Sequence, residues 1–280
     1  MSVVSISQDD ILQIANTFPA TQQILAQLGS LLRDPDAGLN EVTVLIKRDV
    51  ALAARLIRIA NSAAMAQDGG VASVEDAVSL IGFQEVYRLV GFAVLDQVSD
   101  GGLWSYEITG KRFHENSLFT ALLMEELAPG ANEDPRYCYT IGLLRSIGKV
   151  ALNRLVKDAP RGEILRLGEE EHLGEWEQSV FGMTNPEASA IILKAWKFPQ
   201  EIATAIEGHY TPEGRNVPLT DLLNLAAGMA EVLGHGLGGE WSYWLDRDEL
   251  FRKLGLEPKS ANRIIDKALD SFNRLIRTAI

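Results

Sequence analysis

Residues 40–60 read NEVTVLIKRDVALAARLIRIA, and their apolar side chains return every three, four or seven positions. This spacing places them on one face of an α-helix, because strand residues would alternate between two faces. Asn40 comes directly before the periodic run, where its side-chain oxygen can accept the free N–H groups of a first turn. The stretch predicts a long amphipathic helix with a buried face of Val42, Leu45, Ile46, Ala53, Leu56, Ile57 and Ala60.

The same periodicity recurs on both sides of this stretch. A turn at 34–38 separates it from a preceding helix that carries Ile24, Leu25, Leu28, Leu31 and Leu32. No alternating strand is readable, so the sequence predicts an all-α, multi-helical fold. The interruption at 99–108 predicts two packed helical lobes, residues 1–100 and residues 101–280. Further helices are predicted at about 73–82, 84–98, 109–127, 135–155, 185–196, 199–209 and 218–233, and from 259 onwards.

Polar and glycine residues mark several of these helix ends. Ser73 and Asp76 resemble a capping box, and Gly82 can end the helix that they begin. Asn185 followed by Pro186 predicts a helix N-cap with proline in the first turn.

Composition excludes several classes of protein. The chain has 280 residues, 46% of them hydrophobic, a formal net charge of −12 and one cysteine. Its apolar content suffices for a core, and a single cysteine can form neither an internal disulfide nor a thiolate metal site. The acidic balance argues against nucleic acid as a partner. Neither a signal peptide nor an apolar run of membrane-spanning length is visible, so we expect a cytoplasmic protein without membrane contact.

The motifs that most resemble functional sites have simpler interpretations. Gly234–Gly239 reads GHGLGG, but a helix rather than a strand precedes it, so a helix end and a loop are favoured over dinucleotide binding. No two of the four histidines are spaced as in a zincin helix. Cys138 is predicted to be a small core residue. Arg263, Lys267 and Arg274 are predicted to form a solvated helix face. The histidines are His114, His172, His209 and His235.

Several short strings occur in a fixed order between residues 18 and 215. They are Phe18-Pro19, KRDVALAARL (47–56), NSA (61–63), AVSLIG (77–82), IGLLRSIG (141–148), FG (181–182) leading to WKFP (196–199), and IEGHY (206–210). Together they resemble the HDOD family, a branch of the HD-domain superfamily in bacterial signalling proteins. Val50 stands where that family has proline. The family is all-helical, in agreement with the periodicity.

The resemblance also implies what the chain lacks. Active HD proteins use histidines and aspartates to hold one or two metal ions, which activate water for phosphate ester hydrolysis. At the central His-Asp pair this chain has Arg145 and Ser146, and a guanidinium has no lone pair for a cation. Only His209 matches a ligand position clearly, so the resemblance implies no metal, no cofactor and no hydrolase activity. The other aligned positions hold Asn185, Ala227 and, for the first histidine, either His114 or Asn116.

The resemblance further implies that Arg145, Ser146 and Asn185 approach His209. A buried Arg145 would require a carboxylate, carbonyl groups, water or an anion as compensation. Its charge would also disfavour protonation of His209. We therefore expect a neutral, hydrogen-bonded His209.

The resemblance implies a non-catalytic signalling module that binds an unidentified protein partner, as the output part of a response-regulator-like system. One alternative is an HD-type metal-dependent phosphohydrolase. Another is a sensor of a small anion or nucleotide, in which Arg145 and His209 attract the ligand.

Overall fold

The structure is a computed structural model, which describes residues 5–18, 21–34, 38–64, 71–98, 101–157, 172–213 and 217–279. The predicted turn at 34–38, the acidic run 169–171 and the start of the 99–108 interruption lie wholly or partly outside these residues. The helices are α1 Gln8–Ala15, α2 Thr21–Leu31, α3 Leu39–Ile46, α4 Val50–Ala64, α5 Val74–Ile81, α6 Phe83–Val98, α7 Gly110–Leu127, α8 Pro135–Leu144, α9 Ile147–Leu155, α10 Leu173–Phe181, α11 Asn185–Ala195, α12 Gln200–Gly208, α13 Pro218–Ala230, α14 Arg247–Lys253 and α15 Ala261–Ala279.

The predicted all-α fold is confirmed. Between the described residues, β-structure is limited to an isolated bridge that joins Leu103 and Ile108. No single described helix is long and apolar enough to cross a membrane, although α5 and α6, bent by 113°, pass that test as a pair.

The chain divides into two compact units whose limits differ from the predicted lobes. The large unit comprises residues 1–18 and 98–270, and the small unit comprises residues 19–97 and 271–280. The break near residue 98 agrees with the predicted interruption, but residues 1–18 do not group with 19–97. In the large unit, α1 packs on α9 and α11, and Trp196 Nε1 donates to the Ala15 carbonyl at 3.1 Å. These contacts join segments far apart in sequence, which local patterns do not reveal.

The long helix predicted over residues 42–60 is two helices in the small unit. Asp49 lies in the break, where its carboxylate accepts from the Leu52 N–H at 3.0 Å and from the Thr21 hydroxyl at 2.7 Å. An aspartate that binds the free N–H of a following turn favours a helix start. The N-cap assigned to Asn40 is also wrong, because α3 begins at Leu39 and its N-cap is Gly38. Most of the predicted apolar face is buried, as at Val42, Leu45 and Leu56, but Ala53 and Ile57 are only half-buried.

Asn61 holds the backbone of a residue ten positions later. Its Nδ2 donates to the Val71 carbonyl at 2.8 Å, and its Oδ1 accepts from the Val71 N–H at 2.7 Å. The amide of Asn61 therefore satisfies both backbone groups of Val71, within the small unit.

We expect Asn61→Ala to lower the free energy of unfolding by roughly 1–3 kcal/mol, because it leaves a backbone donor and acceptor unpaired. Denaturant unfolding of both proteins measures this. The matched control is Asn40→Ala, since Asn40 is exposed and its side chain has no described hydrogen bond. Equal losses of stability from the two substitutions would contradict the prediction.

Candidate functional site

The segment 135–155, predicted as one helix, is interrupted after Leu144, and Arg145 and Ser146 separate α8 from α9. Lys149 follows four residues after Arg145, in the first turn of α9. All three side chains are completely buried in the large unit. Two cations thus lie in the protein interior, where each requires a compensating group.

Glu240 supplies that compensation. Its Oε2 lies 2.8 Å from Arg145 Nη2, and its Oε1 lies 2.7 Å from Lys149 Nζ. Asn116 Oδ1 also accepts from Arg145 Nη2, at 2.7 Å. Burial alone would raise the pKa of the Glu240 carboxyl, but the charges of Arg145 and Lys149 outweigh it and hold that pKa well below its usual range. The interior therefore contains a carboxylate shared by two cations.

The glycine segment 234–239 carries Glu240 to this position. α13 ends at Ala230 and is followed by a π-helical turn, Glu231–His235, in which Gly234 has φ 83°. Asn116 Nδ2 donates to the His235 carbonyl at 2.6 Å, and Arg112 Nη1 donates to the Gly234 carbonyl at 2.6 Å. The interpretation of GHGLGG as a helix end and loop is confirmed.

A second buried carboxylate, Glu177, lies beside the first. It accepts from the backbone N–H of Asn185 at 2.8 Å and from the Tyr106 hydroxyl at 2.8 Å. Asn185 Nδ2 also contacts Glu177, and it donates to the Tyr210 hydroxyl, which in turn donates to Glu240 Oε1 at 2.7 Å. Burial raises the pKa of Glu177 to about 7, although the charge of Lys149 opposes this shift. A continuous hydrogen-bonded network therefore joins the two carboxylates.

His209 is completely buried at the end of α12. Its Nδ1 lies 2.6 Å from the Ile206 carbonyl, and because a carbonyl only accepts, Nδ1 carries the proton. Burial, and next the charge of Arg145, lower the pKa of His209 to about 3. The ring is neutral with a lone pair on Nε2, as expected from the sequence, although burial contributes more than Arg145.

Around this network the structure brings together some of the residues that the resemblance singled out. Asn116, Arg145 and Asn185 belong to it, and Arg145 and His209 both lie against the Trp244 ring, at 5.6 Å and 6.3 Å from its centre. Of the two alternatives for the first ligand position, Asn116 is the one with a described contact to Arg145. His114 and Ala227 are buried in α7 and α13.

The remaining singled-out residues lie elsewhere. Cys138 is a buried residue of α8, as predicted, and burial raises the pKa of its thiol far above the usual range. His172 is exposed, and its Nδ1 lies 3.2 Å from the Ser242 hydroxyl. The ring of His235 lies 4.4 Å from that of Phe119. Arg263, Lys267 and Arg274 are exposed on α15.

Five residues of the hydrogen-bonded network were missed in the sequence, namely Lys149, Glu240, Glu177, Tyr210 and Tyr106. Lys149 carried a usable signal, because in the single helix predicted over 135–155 it would lie one turn after Arg145. Glu240 had a weaker signal, as an acidic residue that directly follows a glycine run. Glu177 and Tyr106 have no local signal, since only the tertiary structure brings them to Asn185, whereas Tyr210 directly follows His209 in the string IEGHY.

The first helical residue of α11 is Asn185, whereas the sequence predicts Asn185 as the N-cap and Pro186 as the first helical residue. The N-cap is Thr184, whose backbone N–H donates to the Glu187 carboxylate at 2.8 Å, so Asn185 is the first helical residue. The assignment of Asn185 as the cap is therefore wrong. A capping carboxylate three residues after the cap explains the earlier start.

Gly148 allows α9 and α11 to approach closely at this point. A Cβ atom there would lie 2.1 Å from the Asn185 carbonyl oxygen and 2.8 Å from the Ser189 hydroxyl. That hydroxyl accepts from the Gly148 N–H at 2.8 Å and donates to the Arg145 carbonyl at 3.2 Å. Residue 148 therefore has no room for a side chain.

We expect Gly148→Ala to lower the free energy of unfolding by about 1–3 kcal/mol or more, because α9 and α11 must separate to admit the methyl group. Thermal and denaturant unfolding measure the change. Gly238→Ala is the matched control, since a Cβ there meets no atom within 4 Å. A stability gain from Gly148→Ala, as expected for alanine in an uncrowded helix, would refute the close approach.

The comparisons with known proteins agree with this architecture. The HDOD domain family matches residues 18–212, so the chain belongs to the HDOD family. No curated protein matches the sequence.

Three solved structures share the fold. An HDOD domain protein of unknown function from Geobacter sulfurreducens is 18% identical, with a TM-score of 0.63 and coverage of 94% of this chain and 98% of its own. A provisionally named signal transduction protein from Marinobacter aquaeolei VT8 is 22% identical, with a TM-score of 0.68 and coverage of 94% and 58%. A provisionally named phosphohydrolase from Shewanella amazonensis SB2B is 22% identical, with a TM-score of 0.55 and coverage of 92% and 97%. At these identities the likeness shows the fold alone.

The residues at the network do not fit the metal group of HD enzymes. A guanidinium and an ammonium group occupy its centre, and both would repel a cation. The oxygens of Glu240 already face Arg145, Lys149 and the Tyr210 hydroxyl. Across the described ranges, no three His, Cys, Asp or Glu side chains converge as a metal-ligand cluster.

Proposed function

We propose that this HDOD chain is a non-catalytic, cytoplasmic regulatory module of bacterial signal transduction, and that it acts by contact with a protein partner. The observation that supports this most is the completely buried arrangement of Arg145, Lys149 and Glu240. It provides cations at the position where hydrolysis by HD chemistry needs metal ligands.

The electrostatics of the network support the absence of hydrolysis. An active metal site needs several anionic or imidazole ligands that converge on one point. Here the charge of Arg145 acts on the His209 ring and disfavours a second cation there, and Glu240 is held by two ion pairs. To free Glu240 for a metal would leave both cations without a counter-charge, which is costly in the interior.

The partner-binding role rests on family membership. HDOD resemblance implies a bacterial signalling module, and the Marinobacter aquaeolei neighbour carries a provisional signal transduction name. The alternative, an HD-type metal-dependent phosphohydrolase, matches the provisional name of the Shewanella amazonensis neighbour. The charges at the network favour the first role.

Elemental analysis and phosphodiesterase assays decide between these two functions. The full chain is purified without chelators, its manganese, iron, nickel and zinc contents are measured, and phosphodiester substrates are assayed with each metal added. We expect no stoichiometric metal and no turnover above the level of Arg145→Ala and His209→Ala variants. Stoichiometric metal with turnover that His209→Ala abolishes would establish the hydrolase instead.

Capture from the native cell extract tests the partner. The immobilised full chain is compared with an unrelated acidic protein of similar charge, and bound proteins are identified by mass spectrometry. We expect at least one protein that free chain displaces and that captures this chain in the reciprocal experiment. If free chain displaces nothing, the partner-binding role is wrong.

A further inference from the structure

The guanidinium of Arg145 is only partly satisfied. Nη2 contacts Glu240 and Asn116, but Nε and Nη1 are buried without a hydrogen-bond partner. Nε carries one N–H and Nη1 carries two, so three of the five donors of a completely buried cation have no acceptor. Unpaired buried donors on a charged group are costly, which indicates an additional acceptor beside Arg145.

Buried side-chain atoms that lack a hydrogen-bond partner also lie around the same network. His209 Nε2 and Asn185 Oδ1 are both buried and have no hydrogen-bond partner, and neither has the Ser146 hydroxyl. His209 shares the Trp244 ring with Arg145, and Asn185 is joined to Glu240 through Tyr210. The neighbourhood therefore lacks both an acceptor for Arg145 and a donor for His209 and Asn185.

Charge narrows the chemistry of the missing group. Arg145 and Lys149 both pair with the Glu240 carboxylate, and the charges of Glu231 and Glu177 also act on Arg145 and Lys149, respectively. The unpaired groups on Arg145 are N–H donors of a cation. Such donors bind a charged acceptor more strongly than a neutral one, which favours an anion.

We infer that this cluster is a binding site for a compact oxyanion that also carries a hydroxyl group, of which hydrogen phosphate is the simplest example. Its charged oxygens would accept from Arg145, and its hydroxyl would donate to His209 Nε2 or Asn185 Oδ1. Complete burial of the surrounding side chains limits the ligand to a small one. Sulfate has the same charge and shape but no proton to donate near neutral pH, so it should bind more weakly.

A surface pocket lies beside the cluster. The pocket has a volume of about 400 Å³ and is lined in part by Tyr106, Arg112 and Gly238. Tyr106 contacts Glu177, its ring lies 5.2 Å from Lys149 Nζ, and Gly238 is two residues from Glu240.

This inference deepens the proposed function, because it names the chemistry of a signal that a regulatory module could sense. Isothermal titration of the full chain with inorganic phosphate, and with sulfate and chloride at equal ionic strength, tests it. We expect binding of phosphate, sulfate binding at least roughly tenfold weaker, and no binding of chloride. Equal weak binding of phosphate and sulfate, or binding of neither, would show that ordered water satisfies the cluster and would overturn the inference.

Two substitutions separate a ligand site from a structural ion pair. Glu240→Gln removes the competing carboxylate and should tighten phosphate binding by about tenfold or more. Arg145→Met should abolish binding, and thermal shifts with phosphate on Glu240→Gln replace this measurement if Arg145→Met does not fold. Asp221→Asn is the matched control, because it removes the carboxylate partner of Lys253 elsewhere in the large unit and should leave phosphate affinity unchanged.

The outcomes for the two proposals are distinguishable. Phosphate binding without phosphodiester turnover supports both. Phosphate binding with metal-dependent turnover overturns the regulatory role but supports the oxyanion site. No phosphate binding overturns the site and leaves the partner experiment as the test of the regulatory role.

Discussion

Glu240→Gln should lower the free energy of unfolding by about 3–5 kcal/mol, because it leaves two buried cations without their carboxylate. Both side chains that face Glu240 have no exposed surface, so water cannot replace the lost charge. The Glu240 oxygens face donors on both sides, Arg145 at Oε2 and Tyr210 with Lys149 at Oε1, so the NH2 group of the new amide must face one of these donors. The loss therefore reports the missing charge together with one missing acceptor.

Denaturant unfolding near neutral pH, in a buffer without phosphate or sulfate, measures this effect. Glu207→Gln is the matched control, because Glu207 pairs with Lys194 at 3.7 Å on the surface of the same unit. A surface pair of this kind should contribute less than about 1 kcal/mol. Similar losses in the two variants would mean that Glu240 is not the counter-charge that the geometry indicates.

His209 should make the stability of the protein fall steeply in acid. Its pKa is lowered from 6.5 to about 3 in the folded chain, so the unfolded chain binds more protons between these values. The contribution of neutral His209 to the free energy of unfolding is fully present above about pH 6.5 and is lost as the pH falls towards 3. Its full size is on the order of 3–5 kcal/mol, since each unit of pKa difference corresponds to about 1.4 kcal/mol.

The measurement compares unfolding free energies of the native protein and His209→Asn across this pH range. A comparison is needed because Glu177 acts in the opposite direction: its pKa is raised from 4.5 to about 7, so its effect lowers stability as the pH rises through that window. The charges of Arg145 and Lys149 lower the pKa of His209, whereas the charge of Glu240 raises it. The difference between the two proteins should shrink as the pH falls, whereas His172→Asn controls for loss of a histidine outside the network. Parallel profiles for native protein and His209→Asn would contradict the assignment.

The sequence alone was sufficient for the fold class. Periodic apolar residues such as Val42, Leu45 and Leu56 determine helices because burial of one face requires that spacing. That Arg145, Ser146 and Asn185 stand in place of metal ligands is implied by the family resemblance, and a guanidinium cannot coordinate a cation. A buried Arg145 requires a counter-charge or hydrogen-bond acceptors, and this requirement follows from its charge alone.

The first and last residues of the helices were less predictable, because they depend on side chains that cap the helix ends as well as on the apolar period. Asp49 and Thr184 each begin a helix at a point where the apolar period alone gives a different limit. A periodic face can continue across a break, so periodicity does not distinguish one helix from two in line.

Only the tertiary structure decided which carboxylate compensates Arg145. Glu240 is 95 residues from Arg145 in sequence and reaches it from a glycine segment that has no helical period of its own. Glu177, Tyr210 and the Trp244 ring likewise join the network through the packing of separate helices and loops. Long-range electrostatic pairing depends on distance in space and on burial, and neither quantity is encoded in the local order of residues.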